Sequence, residues 1–432
     1  MTEIQSVTGR RVWDSRGHPT VEVDVTLSDG ALGRATAPAG ASRGTREAID
    51  LRDGGNRLAG KGVSRALANV NGAIAPALVG LEVSDQEALD AVILGLDPSP
   101  LKERLGGNAT VATSLALLHA TAASLGKPLW RHVADHYECE PTLPLPEIQI
   151  FGGGAHAGRR VDIQDFMVMV PGAATYDEAL EITSEVYFAA GDIMATRGTL
   201  AGVADEGGWW PEFRSNEEAL ETLVEAIEKA GERPGERVVI SLDIAASEFG
   251  ADGAYTLALE DRRLDSSAFL DMLGRWLSDY PIVSIEDPLA EDDTKGMVEF
   301  TRRHGAQVQI IGDDYVVTNA ALISQAAADG ACNAALIKVN QAGTVTEAVE
   351  AFRTARQLGW TTVVSARSGE TEDTSISHLS TGLGSGQLKV GSFQRSERMV
   401  KWNECLRIQD TLGKDAFVGG APLAKTWWGK RA

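Results

Sequence analysis

The sequence predicts an α/β protein, a TIM-like βα-barrel preceded by an N-terminal α+β capping domain. In the last two-thirds of the 432-residue chain, short apolar, β-branched segments alternate with helical stretches. This alternation is typical of a parallel sheet closed by crossover helices. Six of these segments end on or beside a charged residue, namely Asp243, Glu286, Asp313, Lys338, Arg367 and Lys389. Because strand C-termini meet at one face of a barrel, we expect these side chains to converge there.

Residues 1–138 have a different pattern and are predicted to form the capping domain. The segment VEVDVTLSDG, at 21–30, alternates apolar and polar residues before a turn, which indicates a half-buried antiparallel strand. Helical apolar spacing follows in two stretches, 64–79 and 108–125. The Pro-rich stretch PTLPLP is the expected junction, so the barrel is assigned to residues 139–432.

The clearest helix of the barrel is predicted over 215–230, SNEEALETLVEAIEKA. Ser215 and Glu218 fit a capping box at its start, and Gly231 is well placed to end it. Its apolar residues recur at helical spacing, which predicts one face packed on the barrel.

Composition excludes several classes of protein. The net charge of −21 argues against binding to nucleic acids or anionic membranes, which attract basic surfaces. A small anionic substrate stays compatible with it, because nearby lysines and arginines act within a Debye length of about 8 Å. The three cysteines show no CxxC spacing, so neither a disulfide framework nor a zinc site is indicated. We expect a cytoplasmic protein without a signal peptide or transmembrane helix.

Three of the strand-end residues, Asp243, Glu286 and Asp313, are carboxylates on successive strands. With no Cys or His nearby, they favour a hard cation, most simply Mg²⁺. The alternative is that each acid caps the following helix or pairs with a lysine. Three acids at equivalent positions are harder to explain by capping than one, so the sequence favours a magnesium site.

Two lysines and an acidic turn suggest acid–base chemistry. Lys338 and Lys389 end strands facing the same site, and a lysine among cations and desolvated surfaces can act as a base. The turn 204–208, ADEGG, carries Glu206, which could protonate a leaving group as a general acid. On its own this turn is more typical of a protein surface, and the functional interpretation gains weight only from the barrel context.

With these motifs in chain order, the sequence resembles the enolase family over nearly its whole length. The matching segments are VWDSRGHPTVEVDV, GASRGTREA, GGGAHAG, DIQDFM, ADEGG, SLDIAASEF, YPIVSIEDPLAEDD, IGDDYVVTN, LIKVNQAGT, SARSGETEDT and GQLKVGSFQRSER. The resemblance implies an enolase-type barrel, a capping domain over its mouth, a homodimer or larger assembly, and two Mg²⁺ sites. It also implies proton abstraction next to the carboxylate of 2-phosphoglycerate.

The resemblance assigns roles to individual residues. Asp243, Glu286 and Asp313 correspond to the ligands of the first Mg²⁺, and Ser42 to the residue that closes over the second. Lys338 corresponds to the base, and Glu206 to the acid that helps the C3 hydroxyl leave. Asp165 takes the position of that acid's partner. The expected substrate contacts are Gln164, Arg367, Ser368, Lys389 and His156, the last in a mobile lid loop.

The sequence departs from the family motifs at the site itself. The family's SHRSGE is SARSGE here, which puts Ala366 in place of a histidine. The family's QEF is QDF, so Asp165 is about one methylene shorter than the family's glutamate. Gly152 and Ala39 replace an asparagine and a serine, and Trp209 and Trp210 follow a turn normally flanked by small residues.

Four arginines also appear where the family has other residues: Arg43, Arg46, Arg159 and Arg160. Arginine suits bidentate contact with carboxylate or phosphate, and tryptophan offers a stacking face, although both tryptophans fit the protein core as well. We therefore expect a small phosphorylated substrate and a second, nucleotide-linked anionic one. Two readings stay open: a working dehydratase with tolerated substitutions, and a catalytically silent scaffold. A scaffold has no need for the retained lysines and metal acids.

Overall fold

The computed structural model describes residues 2–431 and every side chain among them except that of His156. The N-terminal region begins with an antiparallel sheet of order β1-β2-β3. Its strands are β1 (Ile4–Trp13), β2 (Pro19–Leu27) and β3 (Leu32–Thr36). The predicted alternating strand is therefore present as β2, and the turn after it leads into β3.

Five α-helices follow the sheet in this region. They are α1 (Ser64–Asn69), α2 (Ala75–Leu78), α3 (Gln86–Leu96), α4 (Gly107–Ser124) and α5 (Leu129–Tyr137). The stretch predicted as helical over 64–79 is continuously helical from Ser64 to Leu78, and a π-helical turn at Val70–Ile74 joins α1 to α2. α4 contacts both β2 and β3 and is buried on nearly all sides, as expected for a helix that is apolar all round.

Residues 139–431 form an eight-stranded closed barrel with additional short strands outside it. The barrel order is β4-β5-β8-β12-β13-β14-β15-β16, and β16 pairs with β4 to close it. These strands are β4 (Leu145–Gly152), β5 (Asp165–Met169), β8 (Val239–Asp243), β12 (Ile282–Glu286), β13 (Gln309–Gly312), β14 (Ala334–Ile337), β15 (Thr361–Ser365) and β16 (Gly386–Gly391). The α/β barrel class predicted from the sequence is confirmed.

One strand corrects the expectation of a wholly parallel sheet. β5 runs antiparallel to both of its neighbours, β4 and β8. The connection from β4 to β5 contains only a 3-10 turn, Gly154–Ala157, instead of a crossover helix. Parallel neighbours are usually joined through a crossover helix, and residues 153–164 contain no α-helix, so this link returns the chain in the opposite direction.

Helices surround the barrel between the strands. They are α6 (Tyr176–Arg197), α7 (Asn216–Lys229), α8 (Ser266–Asp279), α9 (Thr294–His304), α10 (Ala320–Asp329), α11 (Val339–Ala342), α12 (Val345–Gln357), α13 (Ser375–Leu383) and α14 (Ser396–Leu412). α7 matches the predicted helix, and the Ser215 side chain accepts the Glu218 N–H at its start, as the capping box predicts.

The short strands lie outside the closed barrel. β6 (Leu200–Val203) and β7 (Trp209–Pro211) form a hairpin beside β4, and β9 (Gly250–Ala251), β10 (Ala254–Leu257) and β11 (Arg262–Asp265) form a small separate sheet. Within residues 2–431, no single helix is long and apolar enough to cross a bilayer. The one pair that reaches the length together, α4 with α5, is bent by 98°.

Candidate active site

The six charged residues expected at strand ends lie at one end of the barrel. Asp243 ends β8 and Glu286 ends β12, and the two are direct neighbours across the parallel ladder. Lys389, near the end of β16, pairs in register with the last residue of β15. The other three follow their strands within two residues, namely Asp313 after β13, Lys338 after β14 and Arg367 after β15.

Lys389 holds three buried carboxylates together. Its Nζ lies 2.7 Å from Asp243 Oδ2, 2.8 Å from Glu286 Oε2 and 3.6 Å from Asp165 Oδ2. Burial alone lowers the pKa of Lys389, but Asp243 and Glu286 outweigh it and raise that pKa well above its ordinary value. Burial and the Asp243 charge also raise the pKa of Glu286. One ammonium thus faces three carboxylates, an arrangement that attracts a further cation.

Lys338 forms a second ion pair beside this cluster. Its Nζ lies 2.5 Å from Asp313 Oδ2, and Gln341 Nε2 donates to Asp313 Oδ1 at 2.8 Å. Burial lowers the pKa of Lys338, but attraction to Asp313 exceeds that effect and the net shift is upward. Burial raises the pKa of Asp313, whereas the charges of Lys338 and Arg367 lower it by more. The charge of Asp313 is therefore the main reason that the pKa of Lys338 is raised.

The predicted metal acid Asp313 has oxygens close enough to share an ion with those of two acids that the sequence prediction did not name. Carboxylate oxygens of Asp287, Asp313 and Asp314 lie within 4.8 Å of one another, and all three residues are buried. Asp287 also accepts the N–H groups of Asp313 at 2.9 Å and Asp314 at 2.7 Å, so it braces the end of β13. Burial and the charge of Asp313 raise the pKa of Asp287 to about 8.

Asp313 belongs both to this group and to the expected metal trio with Asp243 and Glu286. Either group offers only carboxylate oxygens, the donors that Mg²⁺ prefers. In the expected trio, lysine ammonium groups contact all three acids and supply part of the positive charge that these buried acids require. The donor chemistry therefore fits a hard divalent cation at this end of the barrel.

The acidic turn 204–208 lies between β6 and β7 and is buried except for the half-buried Asp205, so the surface-turn alternative is wrong here. The backbone carbonyl of Glu206 accepts the Ser392 N–H at 2.9 Å, and the Tyr187 hydroxyl donates to the Gly207 carbonyl at 2.9 Å. These contacts anchor the turn to β16 and α6. The Glu206 side chain is 6% exposed and reaches the same cavity as Lys338.

The N-terminal loop 38–47 covers the other side of the site. Arg367 pairs with Glu47 through both of its terminal nitrogens, at 2.9 and 3.1 Å, and donates to the Ser42 carbonyl at 3.0 Å. The Ala41 N–H donates to Ser368 Oγ at 2.6 Å. Burial lowers the pKa of Arg367, but the Glu47 carboxylate raises it by more. The capping domain therefore closes over the barrel mouth.

A narrow cavity of about 20 Å³ lies between these residues. Its walls are Gly40, Ser42, Gln164, Asp165, Glu206, Asp243, Lys338, Ser365, Ala366, Arg367, Ser368, Lys389 and Val390. A larger cleft of about 380 Å³ lies in the N-terminal region beside α4 and α5. Its lining contains none of the strand-end residues, and its ion pair, Lys127 with Asp135, is exposed, so the smaller cavity is the candidate active site.

Two family models match the chain. The enolase N-terminal domain matches residues 4–133, and the enolase C-terminal TIM barrel domain matches residues 140–426. The chain belongs to the enolase family. Members of this family generally bind Mg²⁺, which agrees with the acidic oxygen donors described above.

Compared with the enolase motifs, the cavity wall has lost an imidazole. Ala366 lines the cavity where the motif has histidine, and it is 7% exposed. Gly152, where the motif has asparagine, faces Ala204: a Cβ on Gly152 would lie 2.6 Å from the Ala204 Cβ. A larger side chain at 152 would therefore displace the turn that carries Glu206. Ala39 forms a backbone bridge with Gly369, a contact that does not use the lost serine hydroxyl.

The two tryptophans lie in different surroundings. Trp209 stacks on Tyr187 with ring centroids 4.6 Å apart, and its Nε1 donates to the Tyr187 carbonyl at 2.7 Å. Its ring also lies against Gly191, so Trp209 packs on α6 while staying partly exposed. Trp210 instead lies beside the lid loop, residues 153–164 between β4 and β5. It contacts Gly158, and its ring centroid lies 5.5 Å from the Arg160 guanidinium carbon.

The four additional arginines lie outside the cavity wall and contact protein groups. Arg43 approaches Glu47, Arg46 donates to the Tyr315 carbonyl, Arg159 pairs with Glu248, and Arg160 pairs with Glu212. Their role in substrate binding stays a prediction. The predicted contact His156 lies in the 3-10 turn after β4, and its side chain is outside the described part of the chain.

Sequence reasoning missed several buried acids around the site. Asp287 could have been predicted from the sequence, because it follows Glu286 directly at a strand end. Glu147 could also have been predicted, because it is a charged residue inside the apolar run LPLPEIQIF. Glu47 lies in the matching segment GASRGTREA, but its partner Arg367 is 320 residues away and the pair exists only in the folded protein.

Proposed function

We propose that this protein is a Mg²⁺-dependent lyase-type enzyme that removes the C2 proton of 2-phosphoglycerate and gives an enolpyruvyl product. The observation that carries this proposal is one cavity lined by a lysine, a buried glutamate and an acidic cluster: Lys338, Glu206 and the carboxylates around Lys389. A base and an acid on a shared cavity are what elimination across a carbon–carbon bond requires.

Each residue has a defined task in this proposal. Lys338 takes the C2 proton, and Glu206 donates a proton to the C3 hydroxyl, which leaves as water. Arg367 and Ser368 hold the substrate phosphate. Asp313, with Asp243 and Glu286, would hold Mg²⁺, and Ser42 would contribute to a second site. The bound ion supplies positive charge beside the substrate carboxylate, where negative charge develops when the proton leaves.

Lys338 must be unprotonated to act as the base. Its pKa is raised because attraction to Asp313 exceeds the effect of burial. Neutralising the charge of Asp313 removes that attraction, and burial and Arg367 then both lower the pKa of Lys338. Proton abstraction is therefore expected to depend on divalent cation and to be lost in Lys338→Met.

We further propose that the protein is a diverged member of the family, carboxyphosphonoenolpyruvate synthase, which uses a nucleotide-activated phosphonoformate as second substrate in phosphinic-acid antibiotic pathways. Two features support this. Ala366 leaves the cavity wall without the imidazole of the family motif. Trp210 and Arg160 lie together beside the loop after β4, where the indole is suited to stacking on a nucleobase and Arg160, paired with Glu212 in this structure, is suited to contact with an anion.

Ordinary dehydration of 2-phosphoglycerate to phosphoenolpyruvate is the second candidate, and the retention of both Lys338 and Glu206 favours it. The packing of Trp209 against Tyr187 also removes one of the two stacking faces that the sequence suggested for a nucleotide. The family matches are consistent with either reaction.

Two measurements separate these proposals. Exchange of the C2 hydrogen of 2-phosphoglycerate in D₂O with Mg²⁺ reports proton abstraction alone. Its absence, or its persistence in Lys338→Met, refutes the family chemistry assigned here. ³¹P NMR with 2-phosphoglycerate and nucleotide-activated phosphonoformate then identifies the product. A new carbon–phosphorus enolpyruvyl species supports the synthase, whereas rapid formation of phosphoenolpyruvate alone supports the dehydratase.

A further inference from the structure

Both polar atoms of the Gln149 side-chain amide, in β4, form hydrogen bonds inside the barrel. The residue is 1% exposed. Its Oε1 accepts the Gly208 N–H at 2.9 Å, and its Nε2 donates to Asp165 Oδ1. The backbone N–H of Gly208 can only donate, so it fixes the amide oxygen toward Gly208 and the NH₂ group toward Asp165.

Both partners of Gln149 belong to the acid side of the site. Gly208 ends the turn 204–208, in which the Ala204 N–H donates to the Gly208 carbonyl at 2.8 Å. Glu206 lies at the centre of that turn. Asp165 lines the same cavity and begins β5, where it pairs in register with Gly152 of β4. A single amide therefore connects the turn that carries the acid to the carboxylate at its side.

The fit around this amide is tight. A Cβ on Gly208 would lie 2.3 Å from Gln149 Oε1, and a Cβ on Gly152 would lie 3.4 Å from both polar atoms of the amide. A change of one methylene at either end must therefore move the turn or break a hydrogen bond. Asp165 is one methylene shorter than the glutamate of the QEF motif, and the Gln149 amide reaches it.

We propose that Gln149 is a positioning residue that sets the separation between Asp165 and the Glu206 turn. This inference rests on the proposed function, since it assigns the pair to protonation of the leaving hydroxyl. By donating to Oδ1, Gln149 leaves Asp165 Oδ2 directed toward Lys389 Nζ, 3.6 Å away. Shortening Gln149 breaks this arrangement, and lengthening Asp165 by the same methylene restores it.

The test is a double-mutant cycle with Gln149→Asn, Asp165→Glu and the combined variant. We expect each single change to lower kcat for product formation by roughly 10- to 100-fold with little change in KM. The combined variant should recover to within about threefold of the unchanged protein. C2 exchange in D₂O should stay within about threefold in Gln149→Asn, because Lys338 performs that step.

Gln387→Asn is the matched control. Gln387 is also a fully buried, inward-facing barrel glutamine, but it bonds Gln309, away from the cavity. Its shortening should lower stability without any coupling to Asp165→Glu. Equal coupling of Gln387 and Gln149 to Asp165 would overturn the proposal, as would additive losses in product formation across the Gln149 cycle.

Gln149→Glu tests the same contact without a change of length. It places a second carboxyl group against Asp165, so one proton must be shared between them. We expect product formation by this variant to fall as pH rises, in a range where the unchanged protein is constant. An unchanged pH profile would refute the role of the amide donor. Absence of C2 exchange in the unchanged protein would instead refute the proposed function. The free energies of unfolding of the four proteins in the cycle would still show whether Gln149 and Asp165 are in contact.

Discussion

Lys389→Met is the most direct test of the charge arrangement at the barrel mouth. The change keeps a long aliphatic side chain but removes the ammonium that contacts Asp243 and Glu286 at 2.7 and 2.8 Å. Breaking a buried ion pair by removing one partner costs about 3–5 kcal/mol. At ~2.1 cal/mol/K per residue, unfolding of the barrel carries an entropy of ~0.6 kcal/mol/K, so the barrel Tm should fall by roughly 5–8 °C.

The assay is differential scanning calorimetry at neutral pH, with and without Mg²⁺. Lys229→Met is the control, because Lys229 forms an exposed pair with Asp192 at 3.4 Å that is worth at most about 1 kcal/mol. Mg²⁺ at a hundredfold excess over its Kd should restore ~2.7 kcal/mol to Lys389→Met. If Lys389→Met melts within 1 °C of the control, or if Mg²⁺ has no effect on it, the carboxylate cluster does not carry the charge described here.

Three further changes test separate parts of the site. Burial raises the pKa of Glu147 above its ordinary 4.5, so its protonated form stabilises the fold, and this stability is lost as pH rises from 4.5 through the folded-state pKa. In urea denaturation, Glu147→Gln should therefore raise the free energy of unfolding by about 1–3 kcal/mol at pH 8 and leave it unchanged below pH 4. A difference in the free energy of unfolding that does not vary with pH would contradict this. Glu47→Ala leaves Arg367 buried without its carboxylate, so urea denaturation should detect a loss of about 3–5 kcal/mol, and a loss under 1 kcal/mol would contradict the pairing. Ala366→His returns a donor to the cavity and should raise phosphoenolpyruvate formation from 2-phosphoglycerate alone by at least about tenfold; an unchanged rate would argue against loss of that imidazole as the cause of divergence.

Local sequence patterns identified much of this protein because they depend on neighbouring residues. The start of α7 follows from Ser215 and Glu218, three residues apart. The strand-end charges follow from apolar runs that stop at a charged residue, and a closed barrel brings such ends to one face. The departures at Ala366 and Asp165 were equally visible, because they interrupt motifs of fixed order.

The antiparallel direction of β5 was not visible, because it depends on how a short Gly-rich link turns rather than on the apolar pattern of the strand. The tryptophans illustrate the same limit. Adjacent residues in one strand point to opposite faces, and only packing decided that Trp209 stacks on Tyr187 while Trp210 meets the lid loop.

The sequence by itself determined the barrel class, the family and the residues that carry charge at the strand ends. Tertiary structure decided which charges pair: Lys389 with Asp243 and Glu286, and Arg367 with a glutamate 320 residues away. Pairing is fixed by distances of about 3 Å between side chains from different strands and domains. Residue type and spacing along the chain do not encode such distances, because they arise only when the barrel closes and the capping domain covers it.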